Sequence, residues 1–145
     1  RPLQRRMAWQ LGRHLDVPRM AAGLAQLPVG IERDWAAFAG AVPDGYPTVR
    51  TMLHAGVERC GSHDVMVTLE ADGFLPHQVR MTVGALVRVG GGSLTAQEFA
   101  GLVDGVPGTA GPAAPPQGLK LVTVRYPPGT VDFPEDELDG DTSAR

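Results

Sequence analysis

Cysteine is nearly absent from this sequence. The 145 residues include one cysteine, Cys60, which excludes an internal disulfide and any metal site built from several cysteines. The four histidines show no metal-ligand spacing; they are His14, His54, His63 and His77. We therefore expect neither a disulfide framework nor a metal centre. The cysteine content is compatible with a reducing compartment, and we expect a cytoplasmic protein.

Long apolar runs are missing as well. No run approaches the roughly 20 residues that span a bilayer, and no signal peptide is visible. At 43% hydrophobic and 20% charged residues, the composition predicts one globular domain with a single core. The chain starts at Arg1 rather than at methionine, so we expect that another segment precedes it.

The charge is unevenly distributed along the chain. Five arginines lie within the first 19 residues, and residues 1–128 hold 12 basic and 10 acidic residues. Six acidic residues follow Thr130: Asp132, Glu135, Asp136, Glu137, Asp139 and Asp141. A basic start and an acidic tail suggest an anionic partner near one end. A solvated surface with a disordered tail would give the same pattern, so both interpretations stay open.

Local signals predict the elements of the first half. Residues 5–13 fit a strand or an irregular segment. Asp16 is a typical N-cap, and Pro18 fits the first turn of the helix that follows. After Gly30, the spacing of Ile31, Trp35 and Phe38 predicts a second short helix.

The second half reads as strands around a long helix. The predicted elements are strands at 50–59 and 64–72, a main helix at 74–90, a short helix at 95–103, an irregular connection at 105–118 and a strand at 119–126. Thr95 and Glu98 form a capping-box pattern, and three glycines end the main helix. This order predicts an α+β fold with helices on one face of an antiparallel sheet.

Common catalytic motifs are not found. The sequence contains no P-loop, no GxGxxG after a strand and no HExxH. The glycines of "VGGGS" follow a predicted helix rather than a strand, which disfavours a phosphate cradle. Cys60 and His63 lie in a predicted hairpin turn without an orienting group, which disfavours a nucleophile pair.

An arginine interrupts the main predicted helix. Val79, Val83, Leu86 and Val87 form an apolar stripe on it, while the second face carries the residues His77, Arg80, Gly84 and Arg88. Arg80 lies between the two faces, so we expect it to be partly buried and to need an anion. That anion is either a carboxylate of this domain, Glu70 or Asp72, or a group supplied from outside the chain.

The same segment carries a family resemblance. "EADGFLPHQVRMTVGALVRVGGG" resembles the second half of the tRNA pseudouridine synthase A family, where an "ADGF" turn precedes a helix of the form "H-H-M-V-R-N-x-V-G-x-L-x-x-V-G". The matching residues are Phe74, His77, Val79, Arg80, Val83, Gly84, Leu86, Val89 and Gly90. Similar matches, including "APPQGLKLVTVRYP", extend the resemblance over residues 10–127.

The chain departs from the family pattern at several positions. Pro76, Gln78 and Met81 replace a histidine, a methionine and an asparagine of the helix motif. The "R-x-D-x-G" string that holds the family's nucleophilic aspartate does not occur. The resemblance therefore implies a C-terminal half-domain at residues 1–127 that is inactive alone. Residues 128–145 have too little apolar content to fold alone, so we expect an acidic, disordered tail there.

The resemblance implies a function for the whole protein. The expected fold is one RNA-recognition-like half of a pseudouridine synthase, which isomerises uridine to pseudouridine in the tRNA anticodon stem-loop. Arg80 would pair with the aspartate of the N-terminal half, and His77, Arg88, Arg5 and Arg6 would bind RNA. The family implies a homodimer that needs no metal or organic cofactor and no membrane. A non-catalytic RNA-binding or assembly module and a metabolic domain with accidental similarity are the alternatives.

Overall fold

A computed structural model of the chain describes residues 3–10, 15–61, 64–112 and 119–125. Its strands are β1 Leu3–Gln10, β2 Glu32–Asp34, β3 Val49–Cys60, β4 Asp64–Ala71 and β5 Leu119–Arg125. Its helices are α1 Val17–Ala25, α2 Gln78–Gly91 and α3 Ala96–Gly101. Single 3₁₀ turns cover Ala36–Phe38 and Leu102–Asp104. The acidic tail predicted at 128–145 lies outside the described residues.

The five strands form one antiparallel sheet in the order β2-β3-β4-β1-β5. Along β4, every second side chain is buried and the intervening ones are partly exposed. Side chains alternate between the two faces of a strand, so this pattern shows that one face of the sheet is covered. The predicted α+β fold is therefore confirmed, and so is the predicted alternation in 64–72.

The two main helices meet closely at one point. The Asp16 carboxylate accepts a hydrogen bond from the Arg19 backbone at 3.1 Å, which confirms the predicted N-cap of α1. The Asp16 backbone N–H also donates to the Gly90 carbonyl at 2.9 Å. A side chain at Gly90 would lie 2.7 Å from the Met20 sulfur, so only glycine allows α1 to approach the end of α2 this closely.

The predicted second helix is wrong. Glu32–Asp34 is an edge strand that pairs with β3, and only one 3₁₀ turn follows it. The Asp34 carboxylate accepts from the Ala36 backbone at 2.9 Å, and Trp35 Nε1 donates to the Arg50 carbonyl at 3.2 Å. Trp35 and Phe38 are buried as the spacing suggested. A strand and a 3₁₀ turn bury these two side chains instead of a helix, because the backbone of β2 pairs with β3.

The short helix near Thr95 is confirmed in detail. Thr95 Oγ1 accepts from the Glu98 backbone at 2.9 Å, and Glu98 Oε1 accepts from the Thr95 backbone at 2.9 Å. Phe99 of this helix is fully buried and packs edge-on against Phe38. In the described part of the chain, no helix is long and apolar enough to cross a membrane.

Candidate active site

A tight turn joins β4 to α2. The Gln78 backbone N–H donates to the Leu75 carbonyl at 3.0 Å, and Gln78 Oε1 accepts from the Leu75 backbone at 2.8 Å. His77, the third residue of this turn, has φ 62° and ψ 5°. Proline at the second position and a left-handed third residue are typical of a type II β-turn. Pro76 therefore belongs to a turn that precedes α2, and the helix begins at Gln78 rather than at residue 74.

His77 is not on the helical face predicted from spacing. The prediction placed it in line with Arg80, Gly84 and Arg88, but the left-handed backbone takes it out of the helix. Gly84, in the middle of that face, is buried. Among the described residues, His77 is the only non-glycine with positive φ. Such a residue is strained by about 1–2 kcal/mol, because Cβ crowds the carbonyl oxygen.

The half-buried His77 side chain lies against Gly40 of the loop that follows the 3₁₀ turn Ala36–Phe38. A methyl group on Gly40 would overlap the imidazole ring and would lie 3.2 Å from its Cγ. The Gly40 backbone N–H also donates to the Pro76 carbonyl at 2.8 Å. Gly40 therefore fixes this loop to the turn before α2. The sequence contains no local signal for this contact.

Arg80 is the third residue of α2 and is half-buried, as predicted. Its neighbours Val79 and Met81 are buried. The first turn of α2 contains no acidic residue, and the His77 side chain makes no capping hydrogen bond with the described part of the chain. The positive end of a helix dipole and a guanidinium therefore lie together. This arrangement favours an anion at the start of α2.

One of the two carboxylates considered for Arg80 has another role. Asp72 Oδ1 accepts a hydrogen bond from the Thr51 backbone at 2.9 Å and thereby connects the end of β4 to β3. Glu70 lies one residue before the buried Ala71 and is half-buried on the opposite face of the sheet. The pairing of Arg80 with the aspartate of another segment stays a prediction.

Arg88 is two turns further along α2. Its Nη2 donates to the carbonyls of Ala110 and Gly111 at 2.7 and 3.2 Å. The guanidinium therefore connects α2 to the irregular connection that follows α3. A role of Arg88 in RNA binding stays a prediction, but this side chain already binds backbone oxygens.

The two adjacent arginines of β1 point to opposite faces of the sheet. Arg5 is opposite Leu69 on the covered face, and Arg6 is opposite Thr68 on the other face. Arg5 is 0% exposed, and its guanidinium carbon lies 5.6 Å from the centre of the Phe74 ring. This burial argues against a phosphate contact by Arg5. Arg6 is half-exposed and is the better candidate for RNA binding.

A cavity of about 380 Å³ opens beside this region. Its lining residues are Ala39, Gly40, Ala41, Val42, Met81, Pro107 and Gly108. Met81 stands where the family motif has asparagine, so it contributes an apolar side chain to this lining. Two of the lining residues connect the cavity to the start of α2: Gly40 contacts His77, and Met81 follows Arg80 in the helix.

Comparison with known proteins identifies the family. A family model described as tRNA pseudouridine synthase matches residues 25–127, which include β2, β3, β4, α2, α3 and β5. The chain belongs to the tRNA pseudouridine synthase A family. A protein named tRNA pseudouridine synthase A from Frankia casuarinae is 45% identical over 130 residues, which cover 88% of the chain and 46% of that protein.

Two further relatives carry the same name. The Chloroflexus aurantiacus protein is 40% identical over 128 residues, covering 83% of the chain and 44% of that protein. The Myxococcus xanthus protein is 37% identical over 145 residues, covering 94% of the chain and 54% of that protein. The chain thus spans about half the length of the relatives that it matches.

Proposed function

We propose that the full-length protein containing this chain isomerises uridine to pseudouridine in the anticodon stem-loop of tRNA. Membership of the tRNA pseudouridine synthase A family supports the reaction and the substrate class. The observation that carries the assignment of the site is Arg80, half-buried in the first turn of α2 beside the positive end of the helix dipole. Such a place suits a carboxylate.

The proposed role of Arg80 is to hold a catalytic aspartate from another segment. A guanidinium can donate two parallel hydrogen bonds to one carboxylate, which fixes its orientation and favours its ionised form. The target base would be flipped out of the RNA stack. The bond between N1 and ribose C1′ would then break, the uracil would turn, and C5 would bond to C1′. C5 would lose its proton, and N1 would gain one. These steps conserve the atoms of the base.

The proposed RNA contacts come from β1 and from the region of α2. Arg6 presents a cation on the half-exposed face of the sheet, His77 precedes α2, and Arg88 lies in the last turn of α2. Cationic side chains neutralise phosphates and release counterions, which makes binding depend on salt. We also propose that the protein is a homodimer in the cytoplasm and that this half needs the N-terminal half for activity.

The second candidate is a non-catalytic RNA-binding or assembly module. The replacements at Pro76, Gln78 and Met81 favour it. Pro76, however, suits the second position of the turn before α2. Gln78 and Met81 are both buried, and Gln78 Oε1 accepts a hydrogen bond from the Leu75 backbone within the same turn. The departures therefore do not remove the features that the proposed reaction uses.

The test compares the full-length protein with the 145-residue chain. Each is incubated with an unmodified tRNA transcript, and pseudouridine is mapped by mass spectrometry. We expect product at anticodon-arm uridines with the full-length protein and none with the chain alone. A full-length protein that binds the transcript without forming pseudouridine would support the binding module. Product from the chain alone would contradict the requirement for a second half.

A further inference from the structure

His77 occupies a backbone position that glycine would fill more easily. The third residue of a type II turn needs positive φ, and glycine reaches it at no steric cost. A histidine at this position is strained, yet its ring lies in close contact with Gly40. The backbone hydrogen bond from Gly40 to Pro76 already fixes the loop to the turn. The ring therefore adds a contact that loop attachment alone does not require.

This contact lies one helical turn before Arg80. The His77 carbonyl accepts from the Met81 backbone at 2.9 Å, so its peptide group forms part of the first turn of α2. Because the ring is held against Gly40, rotation about the His77 backbone is restricted. That rotation would tilt the first turn of the helix, which carries Arg80. A glycine at position 77 would allow it, since glycine populates both signs of φ.

We infer that His77 is a positioning residue that acts through Arg80. Its ring, seated on Gly40, fixes the first turn of α2 and thereby the direction of the Arg80 guanidinium. This inference rests on the proposed pseudouridine synthase function, in which Arg80 orients a carboxylate. It replaces direct RNA binding as the main role of His77.

The experiment uses the full-length protein and three variants, His77→Gly, Gly40→Ala and the double variant. Turnover and KM are measured on an unmodified tRNA transcript, and melting temperature is measured on the same preparations. We expect His77→Gly to lower kcat by about tenfold or more, with KM within about twofold and little change in melting temperature, because glycine suits the turn. Gly40→Ala is expected to lower kcat as well, since its methyl group overlaps the ring.

The double variant distinguishes the effect of the His77 ring contact from any other effect of Gly40→Ala on the loop. Once the ring is removed, the methyl group added by Gly40→Ala no longer overlaps it. Gly40→Ala should therefore lower kcat much less in the His77→Gly background than in the original protein. If the losses of kcat in the two single variants add up in the double variant, the inference is overturned. So would a kcat of His77→Gly equal to that of the original protein, or a raised KM at unchanged kcat, which would make His77 a direct RNA ligand.

A structural readout distinguishes this inference from the proposed function. Crystal structures of the full-length protein and of His77→Gly should differ in the position of the Arg80 guanidinium. An unmoved Arg80 would overturn the inference even if the enzyme is active. If the original protein makes no pseudouridine, the proposed function fails, while a displaced Arg80 would still establish the coupling from His77 to Arg80.

Discussion

The His77 imidazole lies so close to Gly40 that a methyl group cannot fit between them. This contact connects two parts of the chain that are 37 positions apart, and one of them leads directly into the helix that carries Arg80. Family resemblance pointed to Arg80 itself. The structure adds how the first turn of α2 is held: by a strained turn, a backbone hydrogen bond from Gly40 and a ring seated on that glycine.

Arg5 is buried and its neighbour Arg6 is half-exposed, so alanine variants of the two can be compared for their effects on stability and on RNA binding. Arg5→Ala should lower the melting temperature, because it removes a buried side chain that covers Phe74. Arg6→Ala should weaken RNA binding with little effect on melting, since its side chain lies on the opposite face. Thermal melting and a filter-binding assay with tRNA measure both effects. Equal RNA affinities for Arg6→Ala and the original protein would remove Arg6 from the proposed interface.

Salt dependence tests the phosphate contacts more directly. The affinity of the full-length protein for tRNA should fall as salt rises, because each neutralised phosphate releases counterions. If Arg6 contacts one phosphate, Arg6→Ala should reduce the slope of log affinity against log salt by about one. Arg19→Ala is a suitable control, since Arg19 is exposed and bound to Asp16. An unchanged slope for Arg6→Ala would argue that Arg6 contacts no phosphate.

Arg88→Ala should loosen the connection after α3. The variant loses the hydrogen bonds from Nη2 to the Ala110 and Gly111 carbonyls, each worth about 1.5–3 kcal/mol for a charged donor. We expect faster proteolysis within residues 105–112 and a lower melting temperature. Limited proteolysis followed by mass spectrometry locates the cleavage. Unchanged proteolysis combined with weaker tRNA binding would instead favour the predicted RNA contact of Arg88.

Local signals predicted most of the fold. The Asp16 cap, the alternation along β4 and the Thr95–Glu98 capping box depend on neighbouring residues, and all three are confirmed. The features that were missed depend on distant partners. The burial of Arg5 follows from the pairing of β1 with β4, and Trp35 becomes buried through β3 rather than through a helix.

The turn before α2 shows a different limit of sequence analysis. His77 and Arg80 are three residues apart, which matches one helical turn, so the helical interpretation was reasonable on spacing alone. Pro76 was the signal that could have corrected it, because proline before a left-handed residue is typical of a type II turn. The contact with Gly40 had no such signal, since it joins two loops that are close only in the folded chain.

Substitution by alanine should have opposite effects on stability at Gly90, where α1 approaches α2, and at Gly101 in α3. Gly90→Ala should destabilise the protein by about 1–3 kcal/mol, because the new methyl group meets Met20 and Leu15. Gly101→Ala, in α3, has no atom within 4 Å of the new methyl group and should stabilise slightly. Chemical denaturation of the full-length protein compares the two. Equal free energies of unfolding for Gly90→Ala and Gly101→Ala would contradict the prediction that Gly90 is tightly packed.

The central claim is that Arg80 serves the reaction rather than the stability of this domain, and Arg80→Lys in the full-length protein tests it most directly. Lysine keeps the charge but lacks the planar fork that donates two hydrogen bonds to a carboxylate. A lost charge-assisted hydrogen bond of about 1.5–3 kcal/mol corresponds to roughly a ten- to hundredfold loss of turnover. We therefore predict that loss in pseudouridine formation at an unchanged melting temperature. A lower melting temperature with unchanged turnover per folded molecule would show that Arg80 only stabilises this domain, and would contradict the account.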